Sequence, residues 1–574
     1  MTDLTATPML PQRVRFDSDE MVARVKRRYR SEAIFKSLGG AALLLTAVFV
    51  VAVLVDIVFK GLPAFTQNYL VLDVPVRADV VDPKGTRSPE DLKSADYFAL
   101  MREALTTAVP GIEGRAEKKR LAGILSSGAG NDLRDRVVAD PSIIGQTVKV
   151  PLLLSDDADI YLKGSQTKVV THVSRGTATP SGTKGEITIL TSANDFADDL
   201  VTAKKAVDLR LTELQARLKS AEVRDPQGAE AGTLKEEIAA LEARVHQPAV
   251  AEALDSKMPS LLVALNGGLV KLSSISSSSA TGTVMLPLTS ADEAKPGSWS
   301  VVTYTKPESD RKSGDFEVAV LEKLRAEGKV ENKFNTIFFT HGDSRDAELA
   351  GILGSLVGSV LMLLVTLSLA LPFGVLAAVY LEEFAPKNKF TNLIEININN
   401  LAAVPSIVFG LLGLAVFLNF FGLPRSAPLV GGLVLALLVL PTIIIAARAS
   451  MKAVPPSIKE AALGVGASHQ QAIFHHVLPL ATPGIMTGTI IGMAHALGET
   501  APLLMIGMLA FIVDVPQGFT DPATALPAQI YIWSDLPEQA FEAKTAAAIM
   551  VLLGLLLVMN GMAIWLRSKF ERRW

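Results

Sequence analysis

Long apolar runs alternate with charged stretches along this chain. Six of these runs are long enough, at about 20 residues, to cross a lipid bilayer as α-helices. They are residues 38–59, 350–381, 401–421, 427–447, 477–498 and 545–566. A long polar segment precedes the first run and no small-residue cleavage site follows it, so we expect an uncleaved anchor and not a signal peptide. The pattern predicts a mainly α-helical membrane protein with six transmembrane helices.

The apolar character of the fifth run continues past Glu499 to residue 513. At 1.5 Å per residue this stretch is too long for one straight crossing. Pro483 and Pro502 are the expected breaks, because proline removes a helical hydrogen bond. The part after Pro502 is too short to span, so we expect it to re-enter the membrane or to lie at the outer surface.

Basic residues set the orientation of the six runs, because Lys and Arg accumulate on the cytoplasmic side. They precede the first run, follow the last, and lie between runs two and three and between runs four and five. These residues are Arg24, Lys26, Arg27, Arg28, Arg30, Lys36, Lys387, Lys389, Arg448, Lys452, Lys459, Arg567, Lys569, Arg572 and Arg573. Residues 514–543, by contrast, contain acidic residues and no Lys or Arg.

The orientation divides the chain into regions. We expect a basic cytoplasmic leader at 1–37, a large domain outside the membrane at 60–345, and a membrane core at 350–566. The core contains a cytoplasmic loop at 448–479. A short cytoplasmic tail at 567–574 ends the chain, so both termini are expected inside the cell.

The outside domain shows the patterns of a folded α+β domain. Residues 147–154, 168–174 and 186–191 are rich in β-branched residues and predict strands. Residues 261–265 and 269–275 flank Asn266-Gly267-Gly268, a favourable hairpin turn.

An antiparallel helical pair is predicted within this domain at about 205–247. Residues 224–228 break the helical pattern, and Thr233 with Glu236 three residues later forms a capping box that starts the second helix. The apolar stripes are Leu211, Leu214, Leu218 and Ala221 on the first helix and Leu234, Ile238, Leu241 and Val245 on the second.

Composition excludes several classes of function. The net charge is −3, which argues against a nucleic-acid-binding protein. The absence of cysteine excludes disulfides, iron–sulfur clusters and thiol catalysis. Asp156, Asp157 and Asp159 lack the glycine and closing glutamate of a calcium loop, so we expect a solvated acidic loop and no metal site. We find no catalytic constellation.

The cytoplasmic loop holds the most specific motif. Ser457 can cap a helix with Glu460 three residues on, and Ala461 and Ala462 favour a helix. Gly464 and Gly466 are then expected to turn the chain before a second helical stretch at 470–477. The small residues of this elbow allow another protein to approach closely.

This loop resembles the coupling loop of bacterial ABC importer permeases. That pattern is Glu-Ala-Ala, three residues, Gly, nine residues, then Ile-x-Leu-Pro. The chain matches it at Glu460, Ala461, Ala462, Gly466, Leu478 and Pro479, and departs from it at His476, where isoleucine is favoured.

Three other stretches give a narrower resemblance. Residues 401–411 (LAAVPSIVFGL), 498–504 (GETAPLL) and 525–531 (ALPAQIY) are similar to the phosphate importer permease of PstA type. With the coupling loop, the resemblance covers about residues 350–566. The large outside segment resembles the extended variant of that subunit in some Gram-negative bacteria.

The resemblance implies a fold, a location and partners. The core would have the fold of the type I ABC importer transmembrane domain, in the bacterial inner membrane, with residues 60–345 in the periplasm. It would pair with a homologous PstC-type permease, two PstB-type ATPases that bind ATP and Mg, and a PstS-type phosphate-binding protein. The chain itself would bind no cofactor and would contact membrane lipid. It has no Walker A motif, since Val330 follows Gly328-Lys329, so ATP hydrolysis is expected from a partner.

A possible substrate face lies on the fifth run. Gly484, Gly488 and Gly492 recur every four residues and share one helix face, and His495 and Glu499 continue it. Small residues at this spacing let membrane helices pack closely. An ionisable residue within a span indicates a functional role. Glu499 is therefore the leading candidate for a residue that contacts the substrate.

The carboxylate of Glu499 can distinguish phosphate from sulfate. Its carboxylate can accept a hydrogen bond from protonated phosphate, which fully ionised sulfate cannot donate. Alternatively, Glu499 anchors the broken helix near Pro502. Family members often carry arginine four residues before this glutamate, where this chain has His495. Thr500 and Arg448 are further candidates for the pathway, although Arg448 also fits a side chain extending to the inner surface.

Three other functions stay open at this stage. The first is a permease for another oxyanion, such as molybdate or sulfate. The second is a membrane sensor, which would need a sizeable cytoplasmic output domain, whereas about eight residues follow residue 566. The third is a secondary transporter, whose uptake would not depend on an ATPase.

Overall fold

The computed structural model describes residues 19–570 except 165–166, 226–227 and 247–250. The first 18 residues of the predicted leader and residues 571–574 of the predicted tail, with Arg572 and Arg573, lie outside the described residues. The helices are α1 (Asp19–Gly61), α2 (Ala78–Val81), α3 (Pro89–Ser94), α4 (Tyr97–Ala108), α5 (Arg115–Ala122), α6 (Asn131–Ala139), α7 (Asp156–Leu162), α8 (Ala197–Arg224), α9 (Ala229–His246), α10 (Asp315–Ala326), α11 (Thr336–Thr340), α12 (Leu353–Val379), α13 (Lys389–Ala402), α14 (Ser406–Leu412), α15 (Pro428–Lys452), α16 (Pro456–Gly464), α17 (His469–Ala472), α18 (Leu478–Gly498), α19 (Ala501–Met505), α20 (Leu526–Ser534) and α21 (Gln539–Phe570). Three helices continue as π-helical turns: α12 at Tyr380–Phe384, α14 at Gly413–Phe420 and α17 at Ile473–Val477.

Five helical segments of the described chain are long and apolar enough to span a membrane. They are Met21–Phe65, Leu353–Phe384, Pro428–Lys452, His469–Gly498 and Gln539–Lys569. The number becomes six if Lys389–Ala402 and Ser406–Phe420 together make one crossing. The first of these helices, α1, contacts mainly α21 and leaves its apolar surface exposed.

The predicted span at 401–421 is not a single continuous helix. The two helical arms there meet at an angle of 104°. Pro405, with an extended ψ of 136°, causes the break, because proline cannot continue the hydrogen-bond ladder and restricts the residue before it. Neither arm reaches across a bilayer alone, because 14 or 15 residues rise by only about 22 Å.

The packing of α12 against α15 shows why the chain must return between them. A Cβ on Gly432 would lie 2.5 Å from Val365 Cβ, and a Cβ on Gly374 would lie 2.7 Å from Ile443 Cγ2. These contacts advance in the same direction along both helices, so α12 and α15 are parallel. The intervening bent pair therefore carries the chain from the end of α12 back to the level at which α12 began.

The expected break at Pro483 is also wrong, because α18 runs through it to Gly498. Membrane helices tolerate proline where neighbouring helices support them, and the next residue, Gly484, packs against Ser450 of α15. The break before Pro502 does occur: Glu499 is extended, with ψ 120°, and the short helix α19 follows.

The described residues between α1 and α12 contain two antiparallel sheets. The strands are β1 (Thr66–Pro75), β2 (Thr147–Leu153), β3 (Val169–Val173), β4 (Ala178–Pro180), β5 (Glu186–Thr191), β6 (Ala251–Ala253), β7 (Ser260–Leu265), β8 (Gly268–Ser276), β9 (Ser279–Leu286), β10 (Ser300–Tyr304) and β11 (Val330–Phe334). The smaller sheet has the order β11-β1-β2, and the larger has the order β3-β10-β7-β8-β9-β5-β4, with β6 also pairing with β8. The predicted hairpin is confirmed: Asn266 and Gly267 both have positive φ, at 45° and 70°, as its tight turn requires.

The helical pair consists of α8 and α9, which cover one face of the larger sheet. Leu214, Ile238 and Leu241 from the predicted stripes are buried in the same cluster as residues of β7 and β8. The predicted capping box is wrong, because α9 begins at Ala229 and Thr233 lies inside it, donating to the Ala229 and Glu230 carbonyls. Pro226 and Gln227 of the predicted break, and the side chain of Val245, lie outside the described residues.

A junction joins the domain that contains the two sheets to the membrane helices. Its core is aromatic and contains Phe65, Phe338, Phe339, Trp533 and Phe541. Lys544 Nζ of α21 donates to the Ala350 carbonyl at 2.5 Å, and Gln67 Nε2 of β1 donates to the Glu348 carbonyl at 3.0 Å. The domain is therefore held on the ends of α12 and α21 by both apolar and polar contacts.

The acidic stretch 156–159 belongs to this junction. It forms the first turn of α7, and Asp159 is buried, accepting hydrogen bonds from Asn68 and Lys163. The expectation of a solvated loop is wrong, because acidic residues are favourable at a helix N-terminus and here also have polar partners. A cavity of about 240 Å³ lies beside Asp159, Gln67 and Lys544.

Candidate functional site

The elbow consists of α16, the turn at Gly466 and α17. Pro455, with ψ 131°, precedes the helix and Pro456 begins it, so Ser457 lies inside α16 and its predicted capping role is wrong. Gly466 turns the chain with φ 93°, whereas Gly464 is helical, so only one of the two predicted turn glycines has that role. Ser468 then starts α17 through a reciprocal pair of hydrogen bonds with Gln471.

The elbow presents its tip to the surroundings. Glu460, Ala461 and Val465 are exposed, Val465 by 88%, while Ala462 is buried at its base. Nothing lies within 4 Å of where a Cβ on Gly464 or Gly466 would be. The elbow is therefore a small-residue projection that the rest of the described chain leaves uncovered.

Acidic residues at the end of α12 contact the base of the elbow. Lys459, next to Glu460, forms an ion pair with Glu383, and His469 Nε2 lies 3.0 Å from the Glu383 carbonyl oxygen. Sequence reasoning missed Glu382 and Glu383. The sequence did contain a signal for their role. Two consecutive acidic residues directly follow a long apolar run, on the same side of the membrane as a loop rich in Lys and Arg.

Arg448 lies beside these acidic residues. It is paired with Glu395 at 2.7 Å and with Glu382 at 3.3 Å, and its side chain is only 15% exposed. The expected extension to an open inner surface is wrong, because the two carboxylates hold the guanidinium within the fold. Arg448 is level with about residue 486 of α18, roughly 14 Å along the axis from His495, so the structure does not bring it together with Glu499.

The glycine ladder of α18 faces α15. A Cβ on Gly484 would lie 2.2 Å from Ser450 Oγ, one on Gly488 would lie 2.1 Å from Ala446 Cβ, and one on Gly492 would lie 2.6 Å from Val439 Cγ1. Each of these distances is too short for a real side chain, so the three glycines permit the approach of the two helices.

His495 and Glu499 are brought together at the end of α18. His495 Nε2 lies 2.8 Å from Glu499 Oε1, so the contact within the chain forms although histidine replaces the family's arginine. The predicted continuation of the glycine face is wrong, because Gly492 is buried against α15 whereas His495 is 58% exposed. Its exposure places the pair on a side of α18 that the described part of the chain does not cover.

Thr500 adjoins this pair. It precedes α19 and is half-buried. A Cβ on Gly410 of α14 would lie 2.7 Å from Pro502 Cα, so α14 and α19 hold this part of the chain in place. Glu499, with a side chain 19% exposed, is therefore accessible from one side and supported from the other.

Comparison with known proteins identifies the class. The family described as "Binding-protein-dependent transport system inner membrane component" matches residues 370–572, and a domain of unknown function, DUF3333, matches residues 22–171. The probable ABC transporter permease protein YqgI of Bacillus subtilis is 31% identical over 41% of this chain and 84% of its own length. The phosphate transport system permease protein PstA 1 of Mycobacterium tuberculosis CDC 1551 is 30% identical over 39% of this chain and 72% of its own length. The PstC permease of Haemophilus influenzae is 30% identical over 32% of this chain and 65% of its own length.

The chain therefore belongs to the family of inner membrane components of binding-protein-dependent transport systems. The similarity to its relatives covers the membrane core, which contains the elbow and the His495–Glu499 pair. Within the family, the chain is a PstA-type ABC permease that carries an additional N-terminal domain.

Proposed function

We propose that this chain is a permease subunit of an ATP-driven importer of inorganic phosphate. The exposed elbow around Glu460 is the main support, because it gives an ATPase a projection to hold while the chain itself has no Walker A motif. The relatives named as phosphate transport permeases support phosphate as the substrate. Sulfate and molybdate are the alternative cargoes that the test must include.

The proposed topology has six crossings of a bacterial inner membrane. The parallel arrangement of α12 and α15 supports counting the bent pair α13–α14 as one of them. With the basic elbow region in the cytoplasm, both termini lie inside and residues 60–345 lie in the periplasm.

The proposed mechanism is alternating access. Two PstB-type ATPases, which bind ATP and Mg, would hold the elbows of this chain and of a PstC-type second permease. ATP-driven closure would open the pathway towards a PstS-type binding protein, and hydrolysis would reset it. The exposed apolar side chains of α13 and α14, including Phe390, Leu393 and Phe420, suit contact with lipid or with the second permease.

The His495–Glu499 pair is the proposed substrate contact. Because His495 engages Oε1, the carboxylate retains acceptor capacity for the proton of hydrogen phosphate. A fully ionised sulfate offers no such donor, so the acceptor positions that His495 leaves free would face an anion without a hydrogen bond, which disfavours its passage. Cationic groups needed for net attraction would come from the second permease.

Uptake by the reconstituted importer tests the proposal. The complete complex in proteoliposomes should accumulate radiolabelled phosphate only when ATP is supplied on the side of the ATPases and the binding protein on the opposite side. Excess sulfate or molybdate should leave this uptake unchanged. Uptake of sulfate or molybdate in place of phosphate would overturn the choice of substrate, and uptake without the ATPases would overturn the class of transporter.

A further inference from the structure

The elbow is tied to the membrane helices by a set of charged contacts. The acidic pair Glu382–Glu383 lies in the π-helical turn Tyr380–Phe384 at the end of α12. Lys459 of α16 pairs with Glu383, and Arg448 of α15 pairs with Glu382. The acidic pair therefore receives basic side chains from two other elements, one of which is the elbow itself.

A second contact extends this set to α13. Arg448 also pairs with Glu395 of α13 at 2.7 Å. Helix α13 leads directly to the 104° break and then to α14. Lys459, Glu383, Glu382, Arg448 and Glu395 thus form a continuous chain of contacts, which we call the charged tie, from the elbow to the bent pair.

Burial makes the charged tie costlier to break than a surface ion pair. The side chains of Glu383 and Glu382 are 11% and 18% exposed, and that of Arg448 is 15% exposed. Removing one partner from such a pair leaves a poorly solvated charge, which is costly. Glu460, the next residue after Lys459, is exposed on the elbow, so a protein that moves the elbow acts one residue away from the tie.

We propose that the charged tie transmits displacement of the elbow to α12 and to the bent pair α13–α14, and that Lys459 and Glu383 are positioning residues that set how much substrate moves per ATP hydrolysed. This inference rests on the proposed function of the chain as an ATP-driven permease. The π-helical turn suits such a role, because these turns interrupt regular helices and recur at functional sites.

A charge-swap experiment in the reconstituted complex tests the charged tie. The variants are K459E, E383K and the double variant K459E/E383K, with ATP hydrolysis and phosphate uptake measured in the same proteoliposomes. Each single variant should retain ATP hydrolysis within about twofold and lose roughly tenfold in uptake per ATP. The double variant should recover most of that loss, because it restores an ion pair of reversed polarity.

The matched control is K387E, which makes the same charge change at an exposed position four residues from Glu383. It should leave the uptake per ATP unchanged. A parallel fall of ATP hydrolysis and uptake in the single variants would show a merely structural role and would overturn the inference. Failure of the double variant to recover, in a complex that assembles normally, would overturn it as well.

A second measurement separates this inference from the proposed function. Because the chain contains no cysteine, V465C and F390C place two spin labels at unique exposed positions on the elbow and on α13. In the full chain in lipid nanodiscs, the distance distribution between the labels should broaden with K459E and narrow again with K459E/E383K, whatever the substrate is. An unchanged distribution with K459E would contradict the charged tie, whereas the absence of phosphate uptake by the wild-type complex would contradict only the proposed function.

Discussion

Gly488 of α18 and Ala446 of α15 bring the two helices into direct contact, since a Cβ on Gly488 would lie 2.1 Å from the Cβ of Ala446. Replacement by a larger residue must push the helices apart. We expect Gly488→Val to destabilise the core by about 1–3 kcal/mol, the usual cost of overpacking. The thermal unfolding midpoint of the purified protein should fall by several degrees.

Gly554 of α21 provides the control for that measurement, because nothing lies within 4 Å of where its Cβ would be. Gly554→Val should leave the midpoint close to that of the wild type. Equal midpoints for the two variants would contradict the close packing of α15 and α18.

The His495–Glu499 pair predicts a change in anion selection. Glu499→Gln keeps the size of the side chain but removes the charge, so it weakens a charge-assisted hydrogen bond to phosphate. We expect phosphate uptake to fall roughly tenfold while sulfate competes better than in the wild type. Uptake and competition in proteoliposomes measure both effects.

An alternative role for Glu499 predicts a different outcome. If Glu499 only anchors the chain before α19, Glu499→Gln should lower the yield and stability of the complex and leave anion competition as it was. Size-exclusion chromatography beside the uptake assay separates the two results.

Asp343 at the junction predicts a dependence of stability on pH. Burial raises the pKa of Asp343 above its usual value, and the hydrogen bond from Trp533 only partly opposes this. Because the folded-state pKa is raised, the stabilisation is fully present below the unfolded pKa and is lost as the pH rises through the folded pKa. Asp343→Asn should therefore become more stable relative to the wild type as the pH is raised from about 4 towards neutrality.

The measurement is the difference between the two unfolding midpoints at each pH, because other groups titrate in both proteins. The substitution preserves the contact with Trp533, since the Asp343 carboxylate accepts from Trp533 Nε1 at 2.9 Å and an amide oxygen can do the same. A constant difference across the range would contradict the raised pKa.

The topology predicts which side of the membrane each region faces. Val465 on the elbow and Val223 on α8 are both exposed, by 88% and 84%, in a chain that has no cysteine. A membrane-impermeant maleimide should label V223C in intact spheroplasts and V465C only after the membrane is opened. Labelling of V465C in intact spheroplasts would falsify the proposed orientation.

Apolar run length and local turn chemistry predicted much of the fold. The long apolar runs predicted α12, α15, α18 and α21, because a helix that crosses the lipid needs an uninterrupted apolar sequence. Asn266-Gly267 gave the hairpin turn because few other residues accept positive φ. The pattern could not show that Pro405 breaks its run while Pro483 does not, since the difference lies in the support that α15 gives to α18.

The site was predictable only in part, for a similar reason. The Glu460–Gly466 motif and the candidate Glu499 depend on local sequence and were accessible. The partners of Lys459 and Arg448, which are Glu383, Glu382 and Glu395, lie more than 50 residues away in sequence. The parallel packing of α12 and α15, together with the packing of α13 against α15, brings them together.

The junction also has a mechanical consequence. Since Lys544, Gln67 and the aromatic side chains hold the domain on the ends of α12 and α21, we expect the domain to follow any tilt of those helices. A tilt would produce its largest displacement at the edge of the larger sheet that is farthest from these helices. Under the proposed mechanism, a movement that begins at the elbow would therefore reach a protein bound at that edge with increased amplitude.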